Sequence, residues 1–423
     1  MKKMQKLLQK YFGVHKGKVW RLYSDAPDEQ GIDICYVGTE AHKNTILHAF
    51  FPQSGKQDYL GEQYFRGVKH YFPTRKDYDL AIIESDAIDR MPNQHRKGWF
   101  VPRWIKTYTE IPIEKPNNSY KYNLRVITKN QFDYWVTTDT ALVKEFYEEM
   151  YVPFINKRHQ DRSLPMQLED LQNAVANGQC ELLLVRDEGR RNIAGMVIDY
   201  RKMPPNLWSV AVLHGDEQLM SQSAVFACYH FSFIYLSERG YSSASLGFSR
   251  AFLNDGVLQF KMKFGFKLLF STARGFAIYP LRCSNALGDF LARQPFFYID
   301  NRQLHLASFI SDEQNSTFNL PSVLKKNKDG SLASSQVFHV SEGGIKLSSS
   351  QIFENNMSPL IAASDLVRKK NNIQADAIFF VRQLMNMQPG ESMLLYTDAE
   401  SDKNTINVIV QAAESNNIKG SCA

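Results

Sequence analysis

The sequence has few cysteines, little net charge and no long hydrophobic run. Its 423 residues include five cysteines, scattered from Cys35 to Cys422. None has a partner at the spacing of a metal or redox motif. We therefore expect free thiols, no metal site and a cytoplasmic protein. The longest apolar stretch, residues 223–236, is too short to span a membrane and contains His230. No apolar segment of signal-peptide type follows the first lysines.

What is present is the composition of a globular protein. The 50 Lys and Arg residues exceed the 44 Asp and Glu residues by only six. Hydrophobic residues make up 43%, charged residues 22% and aromatic residues 13% of the chain. These values exclude a mostly disordered chain, a coiled coil and a collagen-like fibre. The length predicts about three domains.

Two segments of polar and turn-forming residues divide the chain. Residues 114–119 contain Pro116 and two asparagines, and residues 313–350 are rich in Ser, Asn, Lys and Gly. We therefore expect a small N-terminal α/β unit at 1–118, a mixed-sheet α/β domain at 119–312, a linker at 313–356 and a third unit at 357–423.

Two N-terminal segments allow more than one interpretation. Residues 4–12 have the apolar spacing of an amphipathic helix among lysines, which favours a helix docked on its own protein over one that contacts RNA or an anionic surface. Residues 94–104 (QHRKGWFVPRW) mix basic and aromatic side chains. Such a segment either stacks on bases or packs between domains. We favour packing.

The middle unit has the clearest pattern of helices and strands. A long apolar segment from Ser221 to Arg239 predicts a buried helix that stops at Gly240. The remaining predicted elements are helices at 141–150 and 168–177, and strands at 181–186, 193–199, 207–213 and 243–246. This alternation predicts one mixed-sheet α/β core.

Three motifs of this unit form one pattern. They are Ser249-Arg250 with Asn254-Asp255-Gly256 and Phe260-Lys261-x-Lys263-Phe264-Gly265, the upstream segment Phe146-Tyr147-x-x-Met150-Tyr151-x-Pro153 followed by Arg158, and the strand Ile193–Val197. Together they resemble the FemAB-type branch of the GNAT acyltransferase superfamily. The resemblance covers about residues 124–309. It implies a GNAT-like core with a splayed strand pair, and transfer of an acyl or aminoacyl group to a small-molecule or peptide amine. Since FemAB-type proteins often pair two GNAT-like halves, residues 1–118 could be a divergent first half.

The resemblance also implies a helix that binds the donor's phosphates near Ser221. The preceding segment, His214-Gly215-Asp216-Glu217-Gln218, has one glycine and two acids. Two carboxylates repel a pyrophosphate, which counts against acetyl-CoA. The expected co-substrate is acyl-CoA or aminoacyl-tRNA, with no tightly bound cofactor and no metal.

Eight residues are candidates for the site. As catalytic residues we expect Asp255, Tyr151 and His214. As residues that bind donor or substrate we expect Arg250, Lys261, Lys263, Arg158 and Asn254. Six of them have a structural alternative: the two lysines could be the solvated side of a short helix, Arg250 and Asp255 an ion pair, Tyr151 a core residue, and His214 a turn residue without a role.

The third unit contains one long motif. It reads Val381-Arg382-x-Leu384-x-x-Met387-x-Pro389-Gly390-Glu391, followed by Leu394–Asp398. This motif resembles the TusA/SirA sulfur-carrier family. The resemblance implies a small βα sandwich. The family's Cys-Pro-x-Pro motif falls on Gln374–Ala377, which has no cysteine or proline. Glutamine cannot carry sulfur, so we expect a domain that docks a protein partner or regulates.

Two further functions stay open from the sequence. One is a non-catalytic binding or scaffold protein that has lost its donor site. The other is a tRNA-dependent aminoacyl transferase, which the basic N-terminus would serve.

Overall fold

The computed structural model describes residues 14–26, 31–52, 54–66, 78–85, 98–159, 166–265, 267–270, 274–301, 303–312, 332–352, 392–395 and 419–422. The chain divides into two compact units, residues 1–359 and 360–423. The predicted helix at 4–12 and the TusA-like motif at 374–391 lie outside the described residues.

The first unit contains two sheets. Among the described residues, the large sheet has ten strands in the order β17-β16-β15-β14-β5-β13-β4-β2-β1-β3. Its strands are β1 (Val14–Ser24), β2 (Ile34–Gly38), β3 (Gly55–Arg66), β4 (Leu80–Ser85), β5 (Trp99–Pro102), β13 (Gly275–Pro280), β14 (Phe296–Asp300), β15 (Gln303–Ser311), β16 (Ser334–Ser341) and β17 (Gly344–Ile352).

The second sheet of this unit, the central sheet, has seven strands in the described part of the chain. Their order is β12-β6-β11-β10-β9-β8-β7. The strands are β6 (Ile105–Glu110), β7 (Asp133–Thr137), β8 (Cys180–Arg186), β9 (Asn192–Asp199), β10 (Asn206–Val212), β11 (Ser243–Ser249) and β12 (Lys267–Phe270). Antiparallel pairs predominate, but β10 and β11 run parallel. The expected mixed-sheet α/β class is confirmed.

Helices accompany both sheets. They are α1 (Glu40–Phe50), α2 (Asn118–Lys129), α3 (Thr140–Glu145), α4 (Val152–His159), α5 (Leu168–Ala176), α6 (Glu217–Ser221), α7 (Ala224–Glu238), α8 (Gly256–Lys261) and α9 (Asn285–Ala292). A π-helix at Phe146–Tyr151 joins α3 to α4, and 3₁₀ turns lie at Leu213–Gly215 and Met262–Phe264.

The predicted elements of the central sheet are confirmed. Strands β8, β9 and β10 lie within one residue of the predicted limits. Their side chains are mostly buried because helices cover both faces, which explains the near-continuous apolar sequence. The apolar helix α7 lies inside the predicted range and ends before Gly240, whose φ of +83° continues no helix.

The predicted helix at 141–150 is interrupted by the π-helix. Gly195 of β9 explains the close packing there: a Cβ on Gly195 would lie 2.8 Å from Cδ2 of Phe146. Phe146 is 1% exposed and Met150 also faces the core. A π-helix is often found beside a functional site, and this one contacts the sheet at β9 and β10.

The large sheet combines segments that are distant in sequence. Strand β13 pairs with both β4 and β5, and β14 pairs with β5. Residues before 103 and after 274 therefore share one sheet, and residues 105–270 supply the central sheet between them. The domain limits expected from the sequence stay a prediction.

Composition was misleading for residues 334–352. The linker predicted at 313–356 instead contains β16 and β17, which pair antiparallel. Serines of β16 are buried next to β15, where main-chain hydrogen bonds satisfy the backbone. A serine-rich segment thus forms strands because its neighbour provides hydrogen-bond partners, which composition cannot show.

The basic and aromatic segment at 94–104 packs in the core where it is described. Trp99 is 7% exposed and its ring contacts those of Phe296, Phe309 and Phe338 at 5.8, 5.2 and 5.3 Å. Trp104 remains 44% exposed. The packing interpretation is confirmed for residues 98–103.

The end of the parallel pair β2–β4 is closed by the carboxylate of Glu84. It accepts hydrogen bonds from the Thr39 N–H at 2.8 Å and the Thr39 Oγ1 at 2.9 Å, and His42 Nδ1 lies 2.7 Å away. Arg103 forms an ion pair with it. Burial alone would raise the pKa of Glu84, but the hydrogen bonds from His42 and Thr39 outweigh burial and lower it to about 2.

The second unit is described at two strands. β18 (Ser392–Leu395) pairs parallel with β19 (Lys419–Cys422). Across the described residues of the whole chain, no helix is long and apolar enough to cross a membrane.

Candidate functional site

The two parallel strands at the centre of the central sheet separate almost as soon as they meet. β10 and β11 pair at one position, Asn206 opposite Ser245. By contrast, the parallel strands β2 and β4 pair at four successive positions. Beyond Asn206, β10 is bonded to β9 alone, so the main-chain groups on its other side face an opening. At ~3.3 Å per residue the opening extends about 20 Å to Val212. This is the splayed pair that the resemblance implies.

Polar groups line the closed end of the opening, where the two strands meet. Ser245 Oγ donates to Asn206 Oδ1 at 2.8 Å. The bulge that follows places Gly247 at a φ of +76°. A Cβ on Gly247 would lie 3.9 Å from Asn206 Oδ1 and 4.0 Å from Lys261 Nζ. The side-chain amide of Asn206 and the amine of Lys261 therefore both lie close to Gly247.

Lys261 is the central titratable group here. It ends α8, is 3% exposed, and its Nζ donates to the main-chain carbonyl of Phe248 at 2.8 Å. Burial lowers the pKa of Lys261 to about 7, although the negative charge of Asp255 acts in the opposite direction. An amine that titrates near neutral pH can accept and return a proton. Lys261 is thus not the solvated side of a helix.

Asn254 and Asp255 have structural partners. The Asp255 carboxylate caps α8 by accepting from the Leu258 N–H at 2.9 Å. Asn254 Nδ2 donates to the carbonyl of Arg293 at 2.6 Å. Arg250 follows β11 directly and is half-buried. Lys263 Nζ lies 5.2 Å from the ring centroid of Phe260. Of these four residues, Asp255 acts on Lys261 through its negative charge.

Tyr151 and His214 lie away from Lys261. Tyr151 is 6% exposed and its hydroxyl accepts from the Met166 N–H at 3.0 Å, which fits a core residue. His214 has a φ of +51° and its Nδ1 lies 3.4 Å from Glu149 Oε2. It follows β10, about 20 Å along the strand from Asn206. Arg158 lies in α4. The eight predicted residues are therefore not gathered at one point.

Of the two helices that follow β10, only α6 has a side-chain cap at its start. The Asp216 carboxylate accepts from the N–H groups of Gln218 at 2.7 Å and Leu219 at 3.2 Å. The long helix α7 begins at Ala224 rather than near Ser221, and Ser223 before it makes no side-chain cap. Ser223 is 7% exposed and instead donates to Asn123 Oδ1 at 2.9 Å. At α6 a pyrophosphate would have to displace a carboxylate and meet a second acid, Glu217.

Sequence reasoning missed Asn206, Gly247 and Lys106. A signal for Gly247 was present, since a glycine inside an apolar strand often marks a bulge or a close approach. Lys106 had no such signal. It lies opposite Phe248 of β11, which is 142 positions away in the chain. Within the described residues, no three His, Cys, Asp or Glu side chains come together as metal ligands.

Comparisons with known proteins give likeness to structures alone. No family model matches the sequence, and no curated protein does. The structure of L-PGS from Bacillus licheniformis is 12% identical, with 68% of this chain and 94% of that chain covered and a TM-score of 0.32. FemX is 12% identical, with coverage of 63% and 88% and a TM-score of 0.33.

A third neighbour is a tandem GNAT protein from the clavulanic acid biosynthesis pathway. It is 8% identical, with 60% of this chain and 78% of that chain covered and a TM-score of 0.25. At such scores these neighbours carry no argument about function. The features that bear on function are the separation of β10 from β11 and the residues beside it.

Proposed function

We propose that this protein transfers an acyl or aminoacyl group to an amine at the opening between β10 and β11. One observation carries the proposal: the buried amine of Lys261, which titrates near neutral pH, lies where the two strands separate. An enzyme for this reaction needs hydrogen-bond donors for the oxyanion and a route for the proton of the attacking amine.

Residues at the opening support each step. The acceptor nitrogen attacks the acyl carbon, and the main-chain N–H groups of β10 that face the opening would stabilise the oxyanion. In its neutral form Lys261 donates one N–H to the Phe248 carbonyl and keeps a lone pair. That lone pair takes the proton from the attacking nitrogen. The bond to the leaving group then breaks, and Lys261 returns the proton to it.

The charges after β10 support a donor other than CoA. Asp216 occupies the N–H groups at the start of α6, and Glu217 adds a second negative charge. An aminoacyl ester, as in aminoacyl-tRNA, would not need a pyrophosphate site at these helices. Acyl-CoA is the alternative donor. The acceptor would be a small-molecule or peptide amine, and a protein partner for residues 360–423 belongs to the same proposal.

The first test separates the donors. Native mass spectrometry of the full chain, alone and with acetyl-CoA or charged tRNA, shows which donor binds. Binding of charged tRNA supports aminoacyl transfer, and binding of acetyl-CoA moves the assignment to a CoA donor in spite of Asp216. If neither binds, the proposal fails and the scaffold function takes its place.

The second test concerns Lys261. Lys261→Met should bind the same donor but discharge it about 100-fold more slowly, because the proton acceptor is gone. Lys346→Met removes an exposed lysine of β17 and serves as the matched control. Discharge by Lys261→Met at the wild-type rate would remove Lys261 from the mechanism.

A further inference from the structure

The open face of the central sheet beside the opening has a lysine and an exposed aromatic ring. Lys106 of β6 lies directly opposite Phe248 of β11 in the antiparallel register, so their side chains share a face. Phe248 is 56% exposed. Side chains alternate along a strand, so Thr109 of β6 faces the other way. Its Oγ1 donates to the carbonyl of Gly265 at 2.7 Å, beside α7 and α8.

The charges on this face are not balanced. Lys106 Nζ lies 4.7 Å from the ring centroid of Tyr108, and the positive charge of Lys202 is close enough to act on it. The nearby carboxylate of Asp199 is already bound by Arg201, through bonds of 2.8 and 3.1 Å. Within the residues that the structure describes, neither Lys106 nor Lys202 pairs with an acid.

An unpaired, half-buried ammonium beside a second cation is unfavourable in the free protein. Burial, together with the positive charge of Lys202, lowers the pKa of Lys106 to about 8, while the negative charge of Asp199 acts in the opposite direction. A bound dianion would interact favourably with both cations and remove this cost. Phosphate carries close to two negative charges at neutral pH, whereas a carboxylate carries one.

The position of Phe248 connects this face to the opening. Its carbonyl accepts the hydrogen bond from Lys261, while its ring lies exposed beside Lys106. A molecule held by its anionic group at Lys106 could thus lie across Phe248 and present another group to Lys261. An apolar or ring portion of that molecule would cover the exposed ring.

We propose that Lys106 and Lys202 form a binding site for a phosphate group of a substrate, with Phe248 beneath the neighbouring part of that molecule. This inference rests on the proposed function for the role of the ligand as a substrate. The phosphate group belongs either to the acyl acceptor or to the donor.

The test measures binding of inorganic phosphate to the full chain at constant ionic strength, by the shift of Tm with concentration. Wild-type Tm should rise to saturation, as for any ligand that binds the folded state. Half-saturation should need at least about tenfold more phosphate in Lys202→Met, whose exposed side chain can be removed without harm to the fold. Lys346→Met should behave as wild type. An equal shift in all three proteins, or none in the wild type, would overturn the proposal.

A second measurement does not depend on Lys106 variants that fail to fold. Reductive methylation of the wild type, mapped by peptide mass spectrometry, should label Lys106 less in phosphate than in acetate. Equal labelling in both anions would count against the site. Native mass spectrometry then identifies the source: phosphate that displaces the bound donor occupies the donor's site, and phosphate that binds beside it occupies the acceptor's.

A negative result for the phosphate site can be distinguished from a failure of the proposed transferase function. Lys261→Met should keep the phosphate response, because Lys261 lies on the other side of Phe248. If donor discharge depends on Lys261 but phosphate has no effect, the transferase function stands and the phosphate site does not.

Discussion

Lys261 and Phe248 connect α8 to β11 through one hydrogen bond of 2.8 Å, from Nζ to the main-chain carbonyl. The contact lies next to Gly247, where β11 bulges after leaving β10. If the amine only held α8 in place, its deep burial would add little to the stability of the folded protein. A methionine of similar length would pack there without the free-energy cost of burying a charge. The geometry thus links the position of the amine to the opening itself.

The stability of Lys261→Met should depend on pH. The pKa of Lys261 falls from 10.5 when exposed to about 7 in the folded protein. Below pH 7 the folded protein holds a buried charge, and its stability rises as pH increases from 7 towards 10.5. The free energy of unfolding of Lys261→Met relative to wild type should therefore fall by roughly 3–5 kcal/mol over this interval. Urea unfolding at a series of pH values measures it, and parallel profiles would contradict the burial of the amine.

Glu84→Gln should destabilise the protein by about 3–5 kcal/mol, because Arg103 loses its buried partner. The folded-state pKa of about 2 lies below the ordinary 4.5. The contribution of Glu84 is therefore complete above pH 4.5 and is lost as pH falls towards 2. Chemical denaturation at neutral and acidic pH checks both points. Glu148→Gln, at a pair that is more than half exposed, is the control and should cost under about 1 kcal/mol.

Asp216→Ala should cost about 1 kcal/mol of stability, because α6 loses the carboxylate that caps two N–H groups. Asp216→Asn keeps an oxygen in place and should cost much less. Urea unfolding of the two variants side by side tests the capping role. Equal losses would mean that the charge of Asp216, rather than its hydrogen bonds, stabilises this segment.

Hydrogen exchange should reveal the opening directly. Strand β9 pairs with both β8 and β10, so amides of residues 194–198 should exchange slowly. Beyond Asn206, β10 pairs with β9 alone, and about half the amides of residues 208–212 should exchange faster. Peptide-level mass spectrometry compares the two segments. Equal protection would show that the opening is closed in solution, and slower exchange with donor present would support the proposed site.

The elements of the central sheet were predictable because their signals are local. Strands β8 to β10 and the helix α7 each bury long apolar segments, and Gly240 marks the end of the helix within the same stretch of chain. Lys261 was also a candidate from its motif. Local pattern was less informative where a neighbour decides the structure: the π-helix depends on packing against Gly195, and the serine-rich strand β16 depends on β15.

By itself the sequence determined the mixed α/β class, the order of strands and helices in the middle unit and the presence of Lys261 on a short helix. These follow from apolar periodicity and capping residues, which act over a few positions. Only the tertiary structure decided that β10 and β11 separate. It also decided that Lys261 is buried at their junction while His214 lies at the far end of β10. The same is true of Lys106, which faces Phe248 although the two residues are 142 positions apart. Strand partners and burial depend on long-range packing, and periodicity contains no information about which partner a face will meet.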